Sequence, residues 1–435
     1  MLVSRRAKAA AAAAVSLALL TSACGGDAGD DDGGKTTLTL GLYGTFGYEE
    51  AGLYDEYMEL HPDIKIEQTV VAQSGPYYQA LQTRLAAGSG MADIQGIEIG
   101  FVSDVVQNHA DAFVDFAAED DAADLQDTFY DWKWDQASTT DGRTIALGTD
   151  AGPQAMCYRQ DLFAEAGLPT DPAAVSALWP TWDDYIATGQ QFSSSPTRPE
   201  GTAFVDSPNS VFAPAVRQGE VTYADDEGNP VVEDSDGVQT AWGLASRAAG
   251  DGLTAQLGQF SDEWTAAFAN DGFATIACPS WMLNYITSQL GDEGAGKWNI
   301  ATLPGQSQAG STWGGSWLGV PSSGEHVEEA KELVEWLTAP EQQVKMFVSQ
   351  GFFPSSSVAA ESPEVTGATS EYFSDAPIGE IFGTAADAVR RNPISPYDTQ
   401  IQDAFSQALT TVADGSRSPD QAYDDALAAI EQVTG

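Results

Sequence analysis

From Thr36 to Leu42 the chain reads TTLTLGL, with Leu38, Leu40 and Leu42 separated by threonine and glycine. Alternation with a period of two predicts a strand that buries one face. After the turn YGTFGY, Leu53, Tyr57 and Leu60 recur at helical spacing. HPDIKIEQTVV (61–71) predicts a proline turn and a second strand, YYQALQTRLAAG a helix stopped at Gly88, and ADIQGIEIG (92–100) a third strand. Strand, helix, strand, helix, strand implies crossover units on a largely parallel sheet, so the first half is α/β.

Farther along, AMCYR (155–159), GFATIAC from Gly272, WNIATLPG and GGSWLGVP read as short strands. Thr181, with Asp184 three residues on, has the spacing of a helix N-terminal cap. Residues 194–237, rich in Pro, Ser, Asp and Gly, read as loops with a short hairpin near DDEGNP. The remainder is mainly helical. Ala330, Leu333, Val334 and Leu337 share a face, Pro340 restarts a helix, and Ser418-Pro419 opens the last one, with Tyr423, Leu427 and Ile430 inward.

The amino terminus departs from this pattern. Arg5, Arg6 and Lys8 precede the apolar run Ala9–Leu20, which is too short to span a bilayer, and Thr21, Ser22 and Ala23 lead to Cys24. Residues 1–23 are therefore expected to be a secretory signal peptide. The Gly- and Asp-rich stretch 24–35 has too little apolar surface to fold and suits a flexible tether. GDDDGGKT (29–36) spells a phosphate-binding loop, but no strand precedes it and three carboxylates would repel a triphosphate.

Lys and Arg number 18 against 64 Asp and Glu, a formal charge of −46. That balance excludes nucleic acid and disfavours anionic substrates, leaving a neutral or cationic ligand. Beyond Cys24 there remain Cys157 and Cys278, which in an exported chain suggest one disulfide, the alternative being two buried thiols in neighbouring strands.

Taken together, several stretches resemble the sugar-class solute-binding lipoproteins of ATP-driven importers, the group that includes maltose-binding proteins. They are the small residues ending in Cys24, HPDIKIE, LAAGSGMADI, YRQDLFAEAGLPTD with PTWDDYI, GFATIACPSWM, and GGSWLGVP followed by EEAKELVEWLTAPEQQVKMF and GFFPSS. In one respect Cys24 departs from the usual pattern, since the leucine stands at Leu20, one place early. GTFGYEEAGLYDEY, GTDAGP with MCYR, ACPSWM and APIGEIF are similar to cello-oligosaccharide-binding members. The resemblance implies an α/β, two-lobed periplasmic-binding-protein fold with a hinge and a ligand cleft between the lobes. It implies one lobe of 36–149 with 273–314 and another of 150–272 with 315–435. It also implies acylation of Cys24, anchoring to the outer face of the cell membrane, and delivery of a neutral oligosaccharide by a monomer to the membrane permease of an ABC importer, without a cofactor.

Sugar rings offer an apolar C–H face and a fringe of hydroxyls, so a sugar site needs flat aromatics beside Asp, Glu, Asn or Gln. Trp281 stands where the family places a stacking tryptophan, and Trp313 and Trp317 flank GGS at a presumed crossing between lobes. Asp150 lies at the first crossing, Glu98 at the end of the third strand, Phe46 and Tyr48 after the first strand, and Gln73 and Tyr77 after the second. Phe353 is expected at the far rim. No G-x-S-x-G elbow occurs, and His61, His109 and His326 stand apart without metal-ligand spacing. The reading is a binding protein rather than an enzyme. A peptide-binding protein is the second reading and a secreted glycosidase the third.

Overall fold

The three leucines of the opening stretch lie on one face of the first strand, each at most 1% exposed. The computed structural model describes residues 34–118, 122–225 and 228–435. The expected signal peptide 1–23, the acylation position Cys24 and nearly all of the tether 24–35 lie outside the described residues. Residues 36–435 form one compact unit.

Nine strands are found among the described residues: β1 (Thr36–Tyr43), β2 (Ile64–Val71), β3 (Ile94–Glu98), β4 (Leu147–Gly148), β5 (Gln154–Arg159), β6 (Ala203–Val205), β7 (Phe273–Pro279), β8 (Trp298–Ala301) and β9 (Ser316–Gly319). They form two sheets, ordered β2-β1-β3-β9-β4 and β6-β7-β5-β8. In the first, β1 pairs in parallel with β2 and β3, and β9 runs antiparallel to β3 and β4. In the second, β5 lies antiparallel between β7 and β8, and β6 joins β7 in parallel.

Each sheet is buried on both faces, which accounts for strands that read as continuous apolar runs. Leu38, Leu40 and Leu318 pack against Ala330, Leu333, Val334 and Leu337 of the helix Val327–Thr338. On the opposite face, Ile97 and Trp317 meet Leu81, Val102 and Val105 from the helices Ser74–Ala87 and Ile99–Asn108. Strand β5 divides its side chains in the same way. Met156 and Tyr158 enter a core with Tyr185, Trp242 and Phe405, while Ala155 and Cys157 enter another with Ile276, Ile286 and Trp298.

This pairing corrects the expected division of the chain. β7 and β8, within 273–314, belong to the second sheet rather than joining 36–149. Conversely, β9 and the helices Val327–Thr338 and Pro340–Gln350 complete the first lobe rather than the second. The physical reason lies in β7, which sends Phe273, Ile276 and Cys278 into one core and Ala274 and Ala277 into another, both found where it pairs between β6 and β5. Residues 194–237 hold more than loops: β6 and the helix Asn209–Arg217 lie there, the latter burying Val211, Phe212 and Val216 despite Pro214. Among the described residues the short hairpin is reduced to one antiparallel bridge, Ala224 to Pro230. Leu60 points outward, and Leu53, Tyr54 and Tyr57 bury that helix instead. Thr181 and Ser418 cap their helices as expected, and Gly88 ends its helix in the left-handed conformation.

Three chain segments pass side by side between the lobes. Thr149 N–H donates to the Ser316 carbonyl at 2.9 Å, Ala151 N–H to Phe353 at 2.7 Å and Trp313 N–H to Gly152 at 2.7 Å. Gly152 is required at this neck, because a Cβ there would overlap the Trp313 carbonyl.

Cys157 and Cys278, on adjacent strands, form a disulfide with Cα atoms 5.7 Å apart, closing a separation of 121 residues. Replacing both by alanine should destabilise the protein by about 2–4 kcal/mol, mostly through the freed unfolded chain. Guanidinium unfolding of the double variant checks this, and an unchanged midpoint would contradict it.

Candidate functional site

The end of β3 and the neck between the lobes bring together charges that are distant in sequence. Glu98 closes β3 and caps the helix Ile99–Asn108, its carboxylate accepting from Gly100 N–H at 2.7 Å. Asp150 lies on the first connecting segment and accepts from Ser316 N–H and the Thr149 hydroxyl, both at 2.9 Å. Between them comes Lys133, 1% exposed on the short helix Asp131–Gln136, with its ammonium 3.1 Å from the centre of the Trp317 ring. Gly315, with φ at +109°, leaves room for that ammonium where a Cβ would crowd it.

Burial dominates the electrostatics of this trio. It pushes Glu98 up to about 7, against the opposing pull of Gly100 N–H and Lys133. It lowers Lys133 to about 7, against the carboxylates of Asp150 and Glu98. Asp150 is raised as well, but its two hydrogen bonds and Lys133 favour its ionised form. One ammonium faces two carboxylates, so Glu98 is the member that carries a proton near neutrality.

Glu98 also lines a cavity of about 250 Å³ between the lobes. Gln136 and Gly100 contribute from the first lobe, Arg217, Tyr223, Asn392 and Gln402 from the second, and Trp313 from the second connecting segment. Arg217 is tied to Gln402 by a 2.7 Å hydrogen bond. Gln136, Tyr223 and Asn392 bring polar side chains to its wall, and Gln136 and Asn392 also line an adjoining space of about 790 Å³. Asp398, also at its wall, is pushed up to about 7 by burial. The lobes touch directly beside the cavity. Thr399 donates to the Gly100 carbonyl at 3.0 Å, Ser103 to the Ser395 carbonyl at 2.8 Å, and Arg391 pairs with Asp135 at 3.0 Å.

Aromatic rings continue from Trp313. Trp281 lies 5.5 Å away, edge on, and its indole N–H donates to the Trp313 carbonyl at 2.8 Å. Phe260 adjoins both, at 6.3 Å from Trp281 and 5.8 Å from Trp313. Its φ of +65° is in the left-handed region, which costs a non-glycine residue about 1 kcal/mol.

Of the residues expected at the site, Glu98 and Trp313 line the 250 Å³ cavity, and Trp281 flanks it through Trp313. Phe46, Tyr48 and Asp150 line a separate space of about 40 Å³ with Ser316 and Phe352. Four of the expected residues lie apart from these two cavities. Trp317 and Phe353 are fully buried, one beneath Lys133 and the other against Phe347, because each sits on a strand or bridge whose side chains fill a core. Tyr77 is buried, its hydroxyl 2.7 Å from the Gly41 carbonyl. Gln73 is exposed ahead of the helix Ser74–Ala87, outside these cavities. Lys133, Gln136, Arg217, Tyr223, Phe260 and Asn392 went unnoticed in the sequence. The one available signal was DWKWD, a lysine between tryptophans in a chain poor in cations.

The profile of the bacterial extracellular solute-binding proteins matches residues 52–371. The arabinooligosaccharide-binding protein of Bacillus subtilis (strain 168) is 26% identical over 337 residues, 74% of this chain and 73% of its own. A crystal structure of an extracellular solute-binding protein family 1 superposes with a TM-score of 0.84 at 39% identity, covering 92% of this chain and 100% of that one. The galacto-N-biose-/lacto-N-biose I-binding protein of Bifidobacterium longum, solved with lacto-N-biose, shares the fold at a TM-score of 0.74 and 18% identity, covering 92% and 97%. The chain therefore belongs to the bacterial extracellular solute-binding proteins, and its fold is their two-lobed one.

The trio, with Lys133 buried and both carboxylates half-buried, makes a pH-dependent prediction. A carboxyl raised from 4.5 to about 7 on folding destabilises the folded state once it ionises, progressively between those pH values and fully above 7. Glu98→Gln should therefore melt above the parent protein at pH 8, by up to about 3 kcal/mol before solvent screening, and close to it at pH 4. Melting curves at both pH values check the sign, and a gap that widens toward low pH would contradict it.

Proposed function

We propose that the protein captures a neutral oligosaccharide between its lobes and hands it to the membrane permease of an ABC importer. Our best match is a β-1,4-linked gluco-oligosaccharide such as cellobiose or cellotriose. The observation that carries this reading is the interlobe cavity, which Trp313 lines together with the polar residues Gln136, Tyr223 and Asn392. A sugar ring places its C–H face on the indole and its hydroxyls on the amides and the phenol. The sugars in the descriptions of similar proteins, arabinooligosaccharide and lacto-N-biose among them, are neutral and support the class rather than the linkage. Neutrality also suits a chain of net charge −46.

Capture works by closure. A ligand touching Glu98 and Gln136 on one lobe and Tyr223 and Asn392 on the other binds best when the lobes meet, and so shifts the population toward that shape. In this reading the chain makes and breaks no covalent bond. An acylated Cys24 with the tether 24–35 holds it, as a monomer, on the outer face of the membrane.

Tryptophan fluorescence of the purified protein, titrated with β-1,4- and α-1,4-linked gluco-oligosaccharides, tests the proposal. The expected result is a saturable change with cellobiose or cellotriose and recovery of the sugar unbroken. Trp313→Ala should weaken that binding by about tenfold or more while the protein stays folded by circular dichroism. A response to α-linked sugars alone would move the substrate. Silence in both series, or hydrolysis of the sugar, would overturn the reading.

A further inference from the structure

The second lobe sends one irregular segment across to the first. Residues 391–396 (RNPISP) lie between the helices Ile378–Asp387 and Asp398–Ala413, and Pro393 and Pro396 keep them out of either helix. The segment is fixed to its own lobe, where the Asn392 amide donates to the Arg217 carbonyl at 2.8 Å and Ser395 N–H to Asp398 at 3.2 Å. Its far side is engaged by the first lobe. Ser103, 3% exposed, donates to the Ser395 carbonyl at 2.8 Å, and the Gln107 amide donates to the Ile394 carbonyl at 3.3 Å. The Ile394 side chain packs against the first-lobe core that holds Leu81, Ile97, Val102 and Val105.

Each of these contacts is made by protein alone. Opening the lobes would uncover Ile394 and withdraw the Ser103 and Thr399 hydroxyls from the carbonyls that accept from them. Loss of an apolar contact and of hydrogen bonds opposes that opening. The pair Arg391–Asp135 adds less, since Arg391 is 75% exposed and water screens it. Asn392, Pro393 and Ile394 line both the 250 Å³ cavity and the 790 Å³ space, so the segment stands as a wall between them. Ser103 and Asp135 face the larger space and are not among the residues of the smaller cavity.

We propose that residues 391–395 form a latch that draws the lobes together without a ligand and so sets how much of the protein is closed at rest. The inference concerns closure rather than sugar recognition, and goes beyond the oligosaccharide reading. Such a latch raises affinity without touching the ligand, because apparent affinity scales with the fraction of protein in the competent shape.

Double electron–electron resonance on the sugar-free protein tests it, with spin labels on cysteines placed at the exposed positions Glu59 of the first lobe and Glu165 of the second. The parent should show the interlobe distance of the closed structure beside a second, open one. Ile394→Ala, and separately Ser103→Ala combined with Asp135→Asn, should each lower the ratio of closed to open about threefold or more, with circular dichroism unchanged. Cellotriose affinity should fall in both by up to the same factor. In the double variant that loss cannot come from a missing sugar contact in the 250 Å³ cavity. Absence of the closed distance from the sugar-free parent, or a distance distribution unchanged in both variants, would overturn the latch. Failure of the parent to bind cellotriose would count against the sugar reading alone, and the sugar-free distances would still decide the latch.

Discussion

Everything in this molecule that concerns a ligand depends on three strands of backbone sharing one narrow neck. Hydrogen bonds from Thr149, Ala151 and Trp313 tie these segments to one another, and Asp150 receives the Ser316 amide across them. Backbone bonds of this kind resist shear but allow small rotations spread over several residues, which is what a hinge between rigid lobes needs. Because the neck is narrow, it tolerates no side chain at position 152, and it delivers Trp313 from its own backbone into the cavity. Neck and candidate binding surface therefore share residues such as Trp313.

The second organising feature is electrostatic. A chain with 64 acidic residues buries one lysine beneath the cleft and sets two carboxylates around it. Charged groups of this type are costly to bury and add little net stability. Lys133 lies over the Trp317 ring within electrostatic reach of Asp150 and Glu98, and both carboxylates oppose the lowering of its pKa by burial. The cavity above is then free to present mainly uncharged donors and acceptors.

Much of the fold was legible in the sequence, because period-two and helical patterns report burial directly. The Leu38–Leu40–Leu42 strand, the helix face of Ala330, Leu333, Val334 and Leu337 and the caps at Thr181 and Ser418 all rest on local chemistry. The disulfide was legible from compartment and count. What was hidden depended on pairing at long range. Nothing local in GFATIAC tells which sheet β7 joins, and the lobe division failed there. The site was half legible for the same reason. Glu98 and Trp313 lie at strand ends and crossings that motifs mark, whereas Tyr223 and Asn392 come from irregular segments brought together only by the fold. Trp317 shows the converse, since one position along a strand turns a ring from cleft to core.

The central claim is that two lobes close on an oligosaccharide about this neck. Small-angle X-ray scattering of the purified protein, with and without saturating cellotriose, addresses it most directly. The account predicts a smaller radius of gyration in the presence of the sugar, as an open population gives way to the shape in which Thr399 meets Gly100 and Arg391 meets Asp135. Identical scattering curves from protein shown by calorimetry to be saturated would contradict it.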